Sequence, residues 1–202
     1  MKFFKHLSVV LKHKWFVFYY ASRLGIGWLG FVHDLTKFSP TEFLLSVKYF
    51  DGHRSPTIIE RKYKDNFSEI CVRHTGRNKH HWQYWVDYTN HEMVVAKIPY
   101  KRCLEYVSDV LSASKVYNPK EFNFMVAYKY FEEHSKTYLM HPLSKEFILH
   151  IIKLVHEKGF KNAKKKVTRK IYEELSLKYP NTIIIPLSNI GFEHFEIKNS
   201  CL

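Results

Sequence analysis

The first periodic stretch of the chain runs over residues 3–24. Val9, Val10, Phe16, Val17 and Tyr20 fall three, four or seven positions from His13, the spacing of a single helical face. The pattern predicts a helix whose inward stripe carries His13, with His6 on the same stripe as its rival. A buried imidazole needs partners for its ring nitrogens, and a backbone carbonyl or a metal ion would serve. Gly25, Gly27 and Gly30 loosen the apolar run that follows, which is predicted to be helical and to end near Phe38. A third helix then opens. Ser39 stands as N-cap, Pro40 takes the first helical position and Glu42 closes a capping box. That helix is expected over residues 40–50, with Asp51-Gly52 as its stop.

From Ile58 to about Cys71 a further helix is expected. The stretch from Arg73 to Trp85 mixes His74, His80 and His81 with cations and aromatic residues. If it is helical, His74 and His81 share a face. Gly76 is equally placed to break it and feed a new helix near Asn78. Residues 90–98 carry no clear period. A helix over 100–116 has Leu104, Val107, Val110 and Leu111 as its core stripe, with Asp109 among them and Glu105 one turn earlier. A carboxylate on such a stripe must be paired, with Arg73 or Arg77, or bind a metal. Helices are expected over 119–134 and 143–158, the latter capped by Gly159. From Lys161 the chain turns strongly basic, helical to about Lys178, and Thr182–Ile185 reads as a short strand or extended tail between two prolines. The expected fold is all-α: a helical bundle of five to seven helices over residues 1–158, with a basic C-terminal extension over 159–202.

Composition narrows the class. With 46% apolar residues in 202, a packed core is within reach and disorder is excluded. The formal net charge of +13 favours anionic partners, a phosphate-containing substrate or nucleic acid. Cys71, Cys103 and Cys201 are odd in number and lack metal-site spacing, which argues against a disulfide framework and for the cytoplasm or another reducing compartment. Residues 15–32 are apolar apart from Arg23, too interrupted for a membrane span. No Walker loop, Rossmann glycine pattern or Ser-His-Asp order is present.

Candidate chemistry concentrates at His33-Asp34-Leu35-Thr36-Lys37, just before the Ser39-Pro40 helix start. Imidazole, carboxylate and ammonium are brought beside free helical N–H groups, a setting for a metal ion and an anion. Asp34 and Lys37, three apart, share a face. Arg73, Arg77 and Lys79 lie around the second histidine group.

In chain order, His13, His33-Asp34, His74, His80-His81 and Asp109 resemble the H…HD…H…H…D pattern of the HD superfamily of metal-dependent phosphohydrolases. His33 to Lys37 is similar to its HD-x-x-K variant. The paired His80-His81 is similar to the double histidine of the cyclic-dinucleotide phosphodiesterase branch, although no Gly-Tyr-Pro follows. A closer resemblance, over about residues 5–158, is to a family known only as a domain of unknown function. It shares His13-Lys14, the run from His33 to Phe43, Arg77-Asn78-Lys79-His80-His81, and Glu105 with Asp109.

The HD resemblance implies His13, His33, Asp34, His74, His80, His81 and Asp109 as ligands of one or two divalent transition ions: Fe, Mn, Zn, Ni or Co. It implies Asp34, Lys37 and Arg77 as catalytic, and Lys37, Arg73, Arg77 and Lys79 as phosphate-binding. The reaction expected is hydrolysis of a nucleotide or other phosphoester, as a monoesterase or diesterase, by a metal-bound hydroxide. Two alternatives keep their place: an HD-type di-iron oxygenase, and a nucleic-acid-binding protein with a structural or vestigial metal site.

Overall fold

A computed structural model describes residues 2–190. The long first helix, α1 (Lys2–Arg23), buries His6, Val10, His13, Val17, Tyr20 and Ala21 along one stripe. The chain turns at Gly25, whose φ of 78° suits glycine, and α2 (Gly27–Val32) folds back on α1. Gly30 makes that approach possible: a Cβ there would stand 2.5 Å from Ala21 Cβ and 3.0 Å from Phe18 Cα. The expected helix to Phe38 is shorter than its apolar pattern. It stops at Val32, because His33 turns to extended backbone and Asp34 to the left-handed region, and Leu35–Phe38 forms a 3-10 turn.

α3 (Pro40–Tyr49) starts as expected, with Ser39 Oγ accepting from Glu42 N at 3.4 Å. The reciprocal half of the capping box is not made, since the Glu42 carboxylate turns inward to His74. The helix expected from Ile58 to Cys71 is two helices, α4 (Pro56–Tyr63) and α5 (Glu69–Arg77). Asp65 and Asn66 both take positive φ between them, and Ser68 caps the second. Gly76 sits inside α5 without breaking it. His74 is therefore helical, whereas His80 and His81 lie in the loop beyond, so His74 and His81 do not share a helical face.

The remaining helices are α6 (Tyr100–Tyr117), α7 (Phe124–His134), α8 (Pro142–Lys158) and α9 (Lys165–Lys178). The protein is mostly α-helical, with nine α-helices among the described residues, eight of them before Gly159, where five to seven are expected, and α9 in the basic extension. Around α6 and α8 the core closes on Leu104, Val107, Leu111, Phe147, Ile148 and Ile151. Tyr172 and Leu175 of the basic segment join that same core. Residues 90–98 supply the middle strand of a small antiparallel sheet, β1 (Val86–Tyr88), β2 (Glu92–Ala96) and β3 (Thr182–Pro186). In its register Val86 faces Val95 and Val94 faces Ile184, so β3 is paired rather than a free tail. Among the described residues no helix is long and apolar enough to cross a membrane.

Candidate metal centre

The site is assembled from α1, the break after α2, α5, the loop after α5, and α6. Lys14, one residue past His13, donates from Nζ to the carbonyls of Phe31 at 2.6 Å and His33 at 2.9 Å. That grip holds the end of α2 against α1. Asp34 follows with φ 50° and ψ 32°, a conformation that Asp and Asn tolerate better than other side chains. Its carbonyl accepts from Lys37 N at 3.0 Å, and its Oδ2 lies 2.6 Å from Lys37 Nζ. On the far side, Asn78 Nδ2 donates to Thr36 Oγ1 at 2.9 Å and to the carbonyl of His74 at 2.8 Å. The HD-x-T-K segment and the R-N-K-H-H segment are thereby tied together.

Within this frame the side chains converge. His33 Nε2 is 3.1 Å from Asp34 Oδ2 and 3.8 Å from Asp109 Oδ1. His13 Nε2 is 3.1 Å from Asp109 Oδ1. His80 Nε2 stands 3.6 Å from both Asp34 Oδ1 and Asp109 Oδ2, and His74 Nε2 stands 3.5 Å from Asp34 Oδ2. Two groups of potential metal ligands result, each with its donor atoms within 4.8 Å of one another: Asp34, His74, His80 and His81, and His13, His33, Asp34 and Asp109. Asp34 belongs to both. A third group, His33, His80 and Glu105, lies behind them.

The donor atoms fit a cation better than they fit one another. His80 Nε2, His81 Nε2 and Asp34 Oδ1 are buried without a hydrogen-bond partner. His13 Nε2 and His33 Nε2 each face a carboxylate oxygen at 3.1 Å, and Asp34 Oδ2 faces Lys37. Orphaning one such atom costs about 1–3 kcal/mol, and three in one cluster of imidazoles and carboxylates suit something that binds lone pairs. The opposite ring nitrogens are engaged. His33 Nδ1 is 3.1 Å and His80 Nδ1 3.4 Å from Glu105 Oε1, and His74 Nδ1 is 2.8 Å from Glu42 Oε1. A carboxylate behind an imidazole holds the proton on Nδ1 and leaves Nε2 free to ligate.

Charge in the site follows from burial set against these neighbours. Burial opposes ionisation of Asp34, but His33, His74 and Lys37 outweigh it and hold the carboxyl well below its usual range. Asp109 is likewise held well down by His13, His33 and His80 against the cost of burial. Glu105, also buried, is brought to about 2 by His33 and His80. Burial first, then the charge of Lys37, lowers His13, while burial and the neighbouring imidazoles lower His80 and His81. His33 goes the other way: burial is overcome by Asp34, Glu105 and Asp109, and it is pushed up to about 9. Ionised carboxylates among mostly neutral imidazoles are the protonation state that metal ligation requires.

All seven candidate ligands meet in this cluster. His6 does not. It packs between the rings of Phe43 and Phe50, with centroids 5.3 and 5.0 Å away. Asp109 takes neither arginine, and its ion-pair partners among the described residues are His13, His33 and His80. Arg73 is drawn along its own helix to Glu69, with Nη2 2.7 Å from Oε1. Arg77 and Lys79 are exposed, next to the ligands in sequence. Lys37, 29% exposed, and Asp109, 16% exposed, mark where the cluster meets solvent, since His33 and His80 are sealed.

Four supporting residues had weak sequence signals. Glu42 reads as a helix cap, Asn78 as part of a basic patch, Lys14 only as the second residue of the shared His13-Lys14 pair and Glu105 as a neighbour of Asp109. The i, i+4 spacing of Glu105 and Asp109 was the best clue, since it aims both acids to one side. Comparison with curated proteins and with solved structures gives no match. One family model covers residues 2–154, so the chain belongs to the family described as a family of unknown function, DUF5662.

Proposed function

We propose that this protein is a metal-dependent phosphohydrolase of HD type, acting on a nucleotide or another anionic phosphoester. The observation that carries the reading is the convergence of donor atoms from His13, His33, Asp34, His74, His80, His81 and Asp109, with His80 Nε2, His81 Nε2 and Asp34 Oδ1 buried and unpartnered, backed by Glu42 and Glu105. His13, His33, Asp34 and Asp109 would hold one divalent transition ion, and His74, His80 and His81 with Asp34 a second. Imidazole with carboxylate suits Fe, Mn, Zn, Ni or Co. When bound, such ions act as Lewis acids on phosphoryl oxygens and bring water into its reactive form near neutral pH. Lys37 stands at the solvent edge of the cluster and supplies positive charge to an incoming phosphate. Arg77, one turn beyond His74 on α5, and Lys79, next to His80, add charge to the approach. Arg73 enters that role only by releasing Glu69.

The test is metal analysis of purified protein, wild type beside Asp34→Asn, followed by a screen of phosphodiesters and nucleotides. Asparagine tolerates the left-handed backbone at position 34, so this variant removes the charge while sparing the turn. Stoichiometric transition metal in the wild type, its loss in the variant, and phosphate release under anaerobic conditions are expected. Turnover that requires oxygen, with an iron-dependent absorption band, would replace hydrolysis by the di-iron oxygenase reading. Absence of bound metal would remove both.

A further inference from the structure

A cleft lies outside the ligand cluster, and its chemistry differs. It encloses about 800 Å³ and opens between the start of α6, the loop after α5 and α9. Its volume is that of a small-molecule site. Lys79, Lys97, Lys101, Arg102 and Arg169 line it, against a single carboxylate, Glu173. Two of the cations are already held. Arg102 Nη1 is 2.6 Å from Glu105 Oε2, and Arg169 Nε is 2.8 Å from Glu173 Oε1. The three lysines have no carboxylate partner among the described residues.

Two further features point the same way. α6 begins in this cleft, and its N-cap, Pro99, offers no side-chain acceptor. The first N–H groups of an uncapped helix, with the positive end of its dipole, favour an anion. The half-buried Trp85 also lines the cleft, beside the buried Tyr100 and Tyr172, and Arg169 lies over the Tyr100 ring, 5.3 Å from its centroid. The tyrosine hydroxyls are spent elsewhere, Tyr100 on Thr168 Oγ1 at 2.7 Å and Tyr172 on the carbonyl of Ile98 at 2.7 Å. Trp85 is fixed by its Nε1 donating to the carbonyl of Lys79 at 2.8 Å. What is left to a ligand is the apolar ring surface of Trp85, not hydrogen-bonding capacity.

We propose that this cleft binds a small polyphosphate anion carrying an aromatic ring, a nucleoside triphosphate in chemical class, at a site separate from the metal centre. Lys97, Lys101 and the start of α6 take the phosphates, and Trp85 takes the ring. The floor of the cleft backs onto the metal centre, because Arg102 grips the same Glu105 that supports His33 and His80.

The 202-residue chain is titrated with ATP and with inorganic tripolyphosphate, followed by calorimetry and tryptophan fluorescence. Both probes are expected to bind and to compete with each other. ATP should bind the more tightly, and its fluorescence change should vanish in Trp85→Phe. Combined Lys97→Ala and Lys101→Ala substitution is expected to weaken both by about tenfold or more, and in Asp34→Asn, with the metal centre disabled, both probes should still bind and still depend on Lys97 and Lys101. Competition between the two probes in Asp34→Asn supports the site, because there it cannot come from the metal centre. The proposal is overturned if neither probe binds at millimolar concentration. It also fails if binding survives the double substitution and is lost in Asp34→Asn, which would put the anion at the metal centre. Tighter binding of single-stranded RNA through the same two lysines would assign the surface to nucleic acid instead. The measurements on Asp34→Asn are independent of whether the metal centre hydrolyses phosphoesters.

Discussion

Glu105 Oε1 lies 3.1 Å from His33 Nδ1 and 3.4 Å from His80 Nδ1, and its other oxygen takes Arg102 at 2.6 Å. One side chain thus orients two imidazoles on opposite sides of the pair of ligand groups. A glutamine keeps the shape but not the charge. It can accept from one Nδ1–H, and it makes neither imidazole a better base. Glu105→Gln is expected to retain the fold by circular dichroism and to weaken metal affinity by about 10- to 100-fold, the usual effect of removing such support. Competition against a chelator measures it, and unchanged affinity would show that Glu105 is only a core ion pair. The ligands themselves were readable because His and Asp stand out on apolar stripes, as His13 does on α1 and Asp109 on α6. Their supports were not. A glutamate three residues into a helix reads as a cap, and nothing local says that Glu42 instead reaches His74, thirty-two residues away.

The elements were legible where their period was long and uninterrupted, as in α1, α6 and α8. They were not where a few residues overrode the pattern. Asp65 and Asn66 in the left-handed region split one expected helix into α4 and α5. The sheet was hidden because β2 is only five residues long and its partner β3 lies far along the chain. The split between α4 and α5 is closed by Glu60, which has no solvent exposure. Its Oε2 accepts from Ser68 Oγ at 2.8 Å and Ile70 N at 3.0 Å, and its Oε1 accepts from Lys64 at 2.8 Å. Burial opposes its charge, but these donors prevail and its pKa falls below 4.5. Its ionised form therefore stabilises the fold above pH 4.5, and that contribution is lost as pH falls through the lower folded value. Glu60→Gln is expected to cost about 1–3 kcal/mol at neutral pH. The gap from wild type should shrink in acid, because a protonated glutamic acid resembles glutamine. Urea titrations at neutral pH and near pH 3 check it. A gap that persists in acid would show that shape, not charge, holds the joint.

At the scale of the whole molecule the ligand cluster sits where helices distant in sequence meet. His13 comes from α1, Asp34 from the break after α2, His74 from α5 and Asp109 from α6. They meet where His80 Nε2, His81 Nε2 and Asp34 Oδ1 lie buried without partners. Under the proposed function, folding without an ion leaves these atoms orphaned and is the costlier state. A bound ion also ties segments together that the hydrophobic core, built around α6 and α8, secures only from one side. Ligand linkage sets the size of the effect: a free ion at roughly 1,000 times its Kd adds about 4 kcal/mol. For a chain of this length that corresponds to a rise in melting temperature on the order of 10 °C. Stripping metal from the wild type is therefore expected to lower its melting temperature by about that much, and restoring the right ion to return it. In Asp34→Asn neither treatment should move the transition. A wild type whose melting is indifferent to chelator and to every divalent transition ion would mean that the cluster holds itself together by its own ion pairs, with nothing bound at its centre.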